Sequence, residues 1–233
     1  MSGFPTADTA SEFDPPTRIV LIRHGESASN AGGWLSGQDT CGGLTDLGVT
    51  QAEALGGRLA ADPGLAPDVV LVSTMRRAVH TAEIVAPAGL VPEQRAELME
   101  RTSGEAEGLT IAEYTERYGQ RPWIDWEKPL SPGGESGPEF THRVTTALDR
   151  VVDEHRGKTT WVVCHGGVIM VTALGRWPGP TPDLTRLPIV SPMNTSVSEW
   201  YVETDGSWSM VRYNDHTHLV GVNGTPAEAP VAV

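Results

Sequence analysis

Three short runs of apolar residues constrain any fold of this chain: residues 19–22 (IVLI), 69–72 (VVLV) and 161–164 (WVVC). Each run is continuous rather than alternating, and β-branched residues dominate. A strand with one face in water alternates apolar and polar side chains, whereas a strand covered on both faces has no need to. Helical patterns lie between the runs. Thr45 is a candidate N-cap ahead of Leu47, Ala54, Leu55 and Leu59, and residues 138–155 put Phe140, Val144, Ala147, Leu148, Val151 and Val152 on one helical face. Strands alternating with helices predict an α/β fold with a mostly parallel sheet. Residues 195–213 read as two more strands joined by a turn at Asp205 and Gly206, which predicts a C-terminal antiparallel hairpin.

The 233 residues have room for a sizeable core, and no internal stretch is loose enough to divide them. A single domain over residues 17–221 is expected, with flexible Pro- and polar-rich tails at 1–16 and 222–233. The formal net charge of −13 argues against nucleic acid and anionic membrane as partners, because an acidic surface gains nothing from the counterions around a polyanion. No apolar run approaches the roughly 20 residues that cross a bilayer, and the N-terminus lacks a signal-peptide pattern, so a cytoplasmic protein is expected. Cys41 and Cys164, the two cysteines, make no disulfide framework and are expected to be reduced.

The residues that follow each strand carry the chemistry. The first run ends in Arg23-His24-Gly25, the second in Ser73 with Arg76 and Arg77 close behind, and the third in His165-Gly166-Gly167. In open α/β sheets ligands bind beyond the carboxyl ends of the strands, where helix N-termini also present free N–H groups. Guanidinium forks match phosphate oxygens, and a neutral imidazole is a competent nucleophile toward phosphorus. Taken singly, each residue has a plainer reading: a satisfied core histidine, a solvated arginine, a glycine in a turn. Jointly, two histidines that each follow an apolar strand and precede a glycine favour a phosphoryl site. On this reading Gly25 keeps the backbone clear of the phosphate.

The segments "RHGESASN", "VSTMRRAVHTA", "LMERTSGEAEGLT", "PGGES" and "VVCHGGVIM" occur in this order. Together they resemble the histidine phosphatase superfamily, in the branch that includes cofactor-dependent phosphoglycerate mutase. The resemblance implies a phosphoglycerate mutase-like three-layer α/β/α sandwich. It matches His24 to the histidine that becomes phosphorylated, Arg23 to its phosphate-binding neighbour and Asn30 to the asparagine that completes the same block. Arg77, midway between Ser73 and Thr81, matches the family's arginine in preference to Arg76. His165, with Gly166 beside it, matches the second histidine of the phosphate pocket, and Glu100 matches the general acid. Ser36 and Gly37 fall in the loop that closes over the phosphate in the family. The implied activity is hydrolysis of a small organic phosphate monoester through a phosphohistidine, without metal or cofactor.

Other residues keep two readings each. Glu107 either supports Glu100 or caps the next segment, and Asn194 and Thr195, ahead of a late strand, are candidates for the neighbourhood of the site. The insertion at about 101–131 is expected to be a lid, with Tyr114, Tyr118, Trp123 and Trp126 either meeting substrate or packing the lid onto the core.

Competing functions fare less well. Mutases of the family carry a tyrosine three residues after the general acid, where this chain has Ser103, and a paired-arginine block where Arg117 and Arg121 stand apart. A non-catalytic phosphate-binding module typically loses the nucleophile or the acid, and both are present. A cysteine-dependent phosphatase needs arginine six residues after the cysteine, but Cys41 leads to Leu47 and Cys164 to Met170. The "GKT" at residues 157–159 follows a helical pattern and lacks the first P-loop glycine, since Val152 stands there. His216 and His218 have metal-ligand chemistry but no further clustered ligand, which favours a structural role; Asn214 and His218-Leu219 resemble a C-terminal feature of the family.

Overall fold

The computed structural model describes residues 15–123, 125–176 and 191–222. Apart from Pro15, Pro16 and Val222, the expected tails lie outside these residues. The chain forms β1 (Thr17–Arg23), β2 (Val69–Ser73), β3 (Glu93–Arg95), β4 (Thr159–Cys164), β5 (Val197–Val202) and β6 (Trp208–Asp215). They make one six-stranded sheet in the order β3-β2-β4-β1-β5-β6. The first four strands pair in parallel, and β5 runs antiparallel to both β1 and β6. The hairpin turn forms where the sequence places it: Glu203 N donates to Ser207 O at 3.0 Å, and Gly206 supplies the positive φ of 84°.

The continuous apolar runs are explained by cover on both faces. Ile19 and Leu21 of β1 pack on one side with Phe140, Val144 and Leu148 of α5 (Gly137–Glu154) and with Val168 and Ile169 of α6 (Gly166–Gly175). Val20 and Ile22 pack on the other side with Leu55 and Leu59 of α2 (Asp46–Ala61) and with Ala78 and Ala82 of α3 (Arg76–Val85). All four β1 side chains are fully buried, each stabilising the fold by about 1.5–3 kcal/mol. The result is the expected three-layer sandwich. On α5 all six residues of the expected face are buried, and the Ser136–Glu139 capping box starts the helix.

Helix α2 departs from its expected face. Thr45 caps it by accepting from Gly48 N at 3.0 Å, but Leu47 and Ala54 are only half-buried while Gly48, Gln51 and Ala52 turn inward. The cause is the turn after β1. A Cβ on Gly25 would lie 2.4 Å from Gly48 O, so the two backbones meet there, and Gln51 Oε1 accepts from Glu26 N at 2.9 Å. Gly25 is therefore required by the approach of α2, a reason beside the expected one that it keeps the chain clear of the phosphate.

The insertion carries α4 (Ile111–Tyr118) and its own small core of Leu35, Ala106, Tyr114 and Leu130. Tyr114 is buried there and donates from its hydroxyl to Leu130 O at 2.6 Å. Tyr118 packs on the same cluster, and Trp126 packs against the main core beside α5. Tyr114 is thus taken up by packing of the insertion, while Tyr118 and Trp126 join that packing half-buried.

Candidate active site

Strand register assembles the histidines. β1 and β4 are parallel neighbours with Arg23 opposite Cys164, so the next residues, His24 and His165, emerge side by side with ring centroids 5.2 Å apart. Both are buried. His24 Nδ1 lies 2.7 Å from Gly25 O, which can only accept. The proton therefore sits on Nδ1, and the lone pair of Nε2 accepts from Arg77 Nε at 3.0 Å.

Arg77 reaches His24 from the first turn of α3. N–H groups there have no intrahelical partner, and Arg77 N donates to Cys41 Sγ at 3.3 Å. Its guanidinium also donates through Nη1 to Cys41 Sγ at 3.4 Å and to Ser36 Oγ at 3.3 Å. Arg76 is exposed, whereas Arg77, the arginine that the family resemblance selects, is the one beside His24. Burial is the largest single influence on the Cys41 thiol and pushes it up, but the Arg77 charge together with hydrogen bonds from the Gly43 and Arg77 amides and the Arg77 guanidinium outweighs it and lowers the thiol below its ordinary pKa. Cys164, buried in the core, is pushed up instead.

Arg23 donates to Pro192 O. Burial, resisted by the Glu100 carboxylate and aided by Arg77, brings the Arg23 guanidinium down to about 10. His165 sets its Nε2 2.7 Å from Ser73 Oγ at the end of β2 and is the N-cap of α6. Two polar atoms beside His24, Arg23 Nε and His165 Nδ1, are buried and have no hydrogen-bond partner among the described residues. Buried nitrogens left so are costly unless something fills them.

Glu100 lies on the α6 side. Gly167 N donates to its Oε2 and Arg101 N to its Oε1, both at 2.9 Å. A Cβ on Gly167 would fall 2.1 Å from Glu100 Oε1, whereas one on Gly166 would sit 3.4 Å from Arg23 Nε. Gly167, which the sequence reading did not single out, is thus the glycine that the carboxylate needs. Arg143 of α5 holds the Glu100 segment by donating to Glu97 O, Met99 O and Glu100 O, and is fixed by a two-point pair with Glu135 of "PGGES".

The remaining sequence candidates divide. Ser36 joins the cluster through Arg77, while Gly37 is buried against the Glu107 carboxylate. Glu107 accepts from Asp39 N, Thr40 N and Thr40 Oγ1, so it tethers the 36–40 loop, a third role beside the two considered. Asn30 caps α1 (Ala28–Gly32) with Ser27 and is exposed at the rim, where Asn194 Nδ2 donates to its Oδ1 at 3.3 Å. Asn194 also donates to His24 O at 3.0 Å, which puts it against the peptide of His24. His216 and His218 are occupied by Asn214 O and by Thr195 and Arg58, in keeping with a structural role.

Burial sets the electrostatics of the imidazoles. Burial first, then the charges of Arg77 and Arg23, hold His24 well below its ordinary pKa of 6.5 despite the Gly25 carbonyl. Burial and Arg77 do the same to His165, and burial with Arg58 takes His218 to about 4. Below pH 6.5 the unfolded chain therefore binds protons that the folded chain refuses, so stability is full above 6.5 and is lost as pH falls. Urea melts across pH should show the midpoint falling steadily between pH 6.5 and about 4; an unchanged midpoint in that window would contradict the assignment of buried neutral imidazoles.

Comparison with known proteins agrees with this geometry. The sequence profile of the histidine phosphatase superfamily (branch 1) matches residues 19–216. A metal-independent phosphoserine phosphatase of Arabidopsis thaliana is 30% identical over 213 residues, 88% of this chain and 84% of that one. The solved structure of Bacillus stearothermophilus YhfR is 31% identical, with a TM-score of 0.73 over 87% of this chain and 99% of that chain. A mycobacterial glucosyl-3-phosphoglycerate phosphatase in complex with VO3 is 25% identical, with a TM-score of 0.71 over 84% of this chain and 98% of the other. From its profile match and the agreement of fold, the chain belongs to the histidine phosphatase superfamily, branch 1.

Proposed function

We propose that this chain is a phosphatase that hydrolyses small organic phosphate monoesters through a phosphohistidine on His24. The observation that carries this reading is the state of the His24 ring: Nδ1–H is fixed on Gly25 O, and the Nε2 lone pair is held beside Arg77 Nε at 3.0 Å. Nε2 attacks phosphorus in line, the bond from phosphorus to the ester oxygen breaks, and Glu100 gives its proton to that oxygen. Water then attacks the phosphohistidine, its proton passes to Glu100, and phosphate leaves as the P–N bond breaks. Arg23, Arg77, His165 and the N-terminus of α6 face the charge that builds on the phosphoryl oxygens. The partnerless Arg23 Nε supports this, since it can only donate and a phosphoryl oxygen is the acceptor that it lacks; His165 Nδ1, also without a partner, would donate to the same group in its Nδ1–H tautomer. Ser36, Asn30 and Gly166 line the approach, and Gly37, packed on the Glu107 carboxylate, sets the course of the loop that presents Ser36.

Phosphatase is favoured over mutase by the environment after the acid. Ser103 is buried and leaves no aromatic hydroxyl at that place, while Arg117 is half-exposed, pairs with Glu105 at 3.5 Å and stacks on Tyr118. The acidic chain, its two free cysteines and the lack, among the described residues, of a helix long and apolar enough to cross a membrane support a small-molecule substrate met in the cytoplasm.

The test is a panel of phosphomonoesters followed by phosphate release, with quenching in alkali, where a phosphoramidate survives and can be assigned to His24. Incubation with 3-phosphoglycerate and its bisphosphate should give inorganic phosphate; conversion to 2-phosphoglycerate would make the chain a mutase. A further substitution isolates the acid. Gly167→Ala should displace the movable Glu100 carboxylate and leave the fold intact. Phosphoenzyme formation from an alkyl monoester should slow by about 10²- to 10⁴-fold, while p-nitrophenyl phosphate, whose leaving group needs no proton, is largely spared. Equal slowing of both would argue against Glu100 as the acid.

A further inference from the structure

We propose that the C-terminal turn positions the nucleophile through a polarised hydrogen-bond relay, with His218 and Thr195 as its positioning residues. This inference rests on the reading of His24 as the attacking group. The direction of the relay follows from donor chemistry. Arg58, on α2, can only donate, so His218 Nδ1, 3.4 Å from Arg58 Nη1, is the acceptor. His218 Nε2–H then donates to Thr195 Oγ1 at 2.9 Å, and the Thr195 hydroxyl donates to Asn194 O at 2.7 Å. Asn194 Nδ2 and Thr195 N both donate to His24 O, at 3.0 and 3.3 Å. With its own carbonyl gripped twice, the His24 peptide cannot rotate, and the next carbonyl, Gly25 O, is the one that orients the imidazole.

A second, independent observation marks the same place. Thr195 is fully buried and has φ of 57°, a left-handed conformation that a β-branched residue adopts only when its surroundings impose it. The imposing contacts are those of its hydroxyl with His218 and Asn194. The far end of the relay is anchored as well: Arg58 pairs with Asp215 of β6, and Asp215 accepts from Thr217 N at 3.2 Å and Thr217 Oγ1 at 3.0 Å. The 3₁₀ turn Thr217–Leu219 thereby reaches the site through Asn194, which contacts His24 from 170 residues further along the chain.

The test compares His218→Ala with His218→Gln, whose amide can supply the Nε2–H donor, and Thr195→Ala with Thr195→Ser, which keeps the hydroxyl. Rates of phosphoenzyme formation are normalised to the sites that become phosphorylated, which removes any loss of folded protein. Both alanine variants should slow this step by about 10- to 100-fold with KM nearly unchanged, and Gln and Ser should restore most of it. Full rates per site in the alanine variants, or Gln and Ser variants as slow as alanine, would overturn the relay. If an alanine variant fails to fold, Thr195→Gly, which relieves the backbone strain, decides: a slow folded enzyme supports the relay and a fully active one refutes it. Turnover persisting in His24→Ala would instead remove the underlying reading of the nucleophile.

Discussion

His24→Ala is expected to abolish turnover, with a fall of roughly 10⁴- to 10⁶-fold, the range seen when a nucleophile acting as part of a unit is removed. The same variant should give no alkali-stable phosphoprotein. The fold should survive, because the truncation leaves β1 and its register untouched; the structural cost is the unpaired Arg77 Nε and a small void, on the order of 1–3 kcal/mol. Circular dichroism and a urea melt would show a folded protein beside the lost activity. Residual turnover above about one part in a thousand of wild type, with phosphate found on another residue, would transfer the nucleophile's role elsewhere.

The second large effect is expected at Arg77. Its guanidinium touches His24 Nε2, Ser36 Oγ and Cys41 Sγ at once, so Arg77→Ala removes the brace between His24 and the 36–40 loop and, in the proposed mechanism, a cation that faces the transition state. A preorganised donor of this kind is worth about 10²- to 10³-fold in kcat. Arg77→Lys should recover little, because an ammonium cannot span three partners with one planar fork. The same change tests the electrostatics. Arg77 is, after burial, the leading cause of the depressed His24 pKa, so without it the imidazole should accept a proton at higher pH. The acid limb of phosphoenzyme formation should therefore move upward in Arg77→Ala. A loss below tenfold with no such movement would place Arg77 outside the reacting shell.

The parts of this site that were legible in the sequence are those fixed by local rules. Continuous apolar runs located β1, β2 and β4, a clean helical period located α5, and each strand's last residues gave Arg23, His24 and His165. Local reading failed where two distant backbones or side chains decide an outcome. The inward face of α2 follows from the meeting of Gly25 and Gly48 and from the demand of Glu26 N for an acceptor, neither of which has a periodic signature. Gly167 could be told from Gly166 only once Glu100 had a position. Glu107 has the same residue type and the same neighbourhood in the chain as a group supporting Glu100, yet it turns to the amides of residues 39 and 40. Asn194 needed the return of the chain at β5 to reach His24. A hydrogen-bonding residue ahead of a β-rich segment was the available signal, and it does not specify a partner.

The pairing of β1 with β4 has a consequence for how such a site tolerates change. His24 and His165 are neighbours because Ile22 stands opposite Val163 and Arg23 opposite Cys164, with no loop in between to absorb error. Deleting one residue from either strand would invert which side chains face each layer of helices and carry one imidazole away from the other. Insertions beyond the strand ends leave that alignment alone. Length variation in this architecture is thus channelled into the connections around the pocket, while the spacing of its two imidazoles is locked to the ladder beneath them.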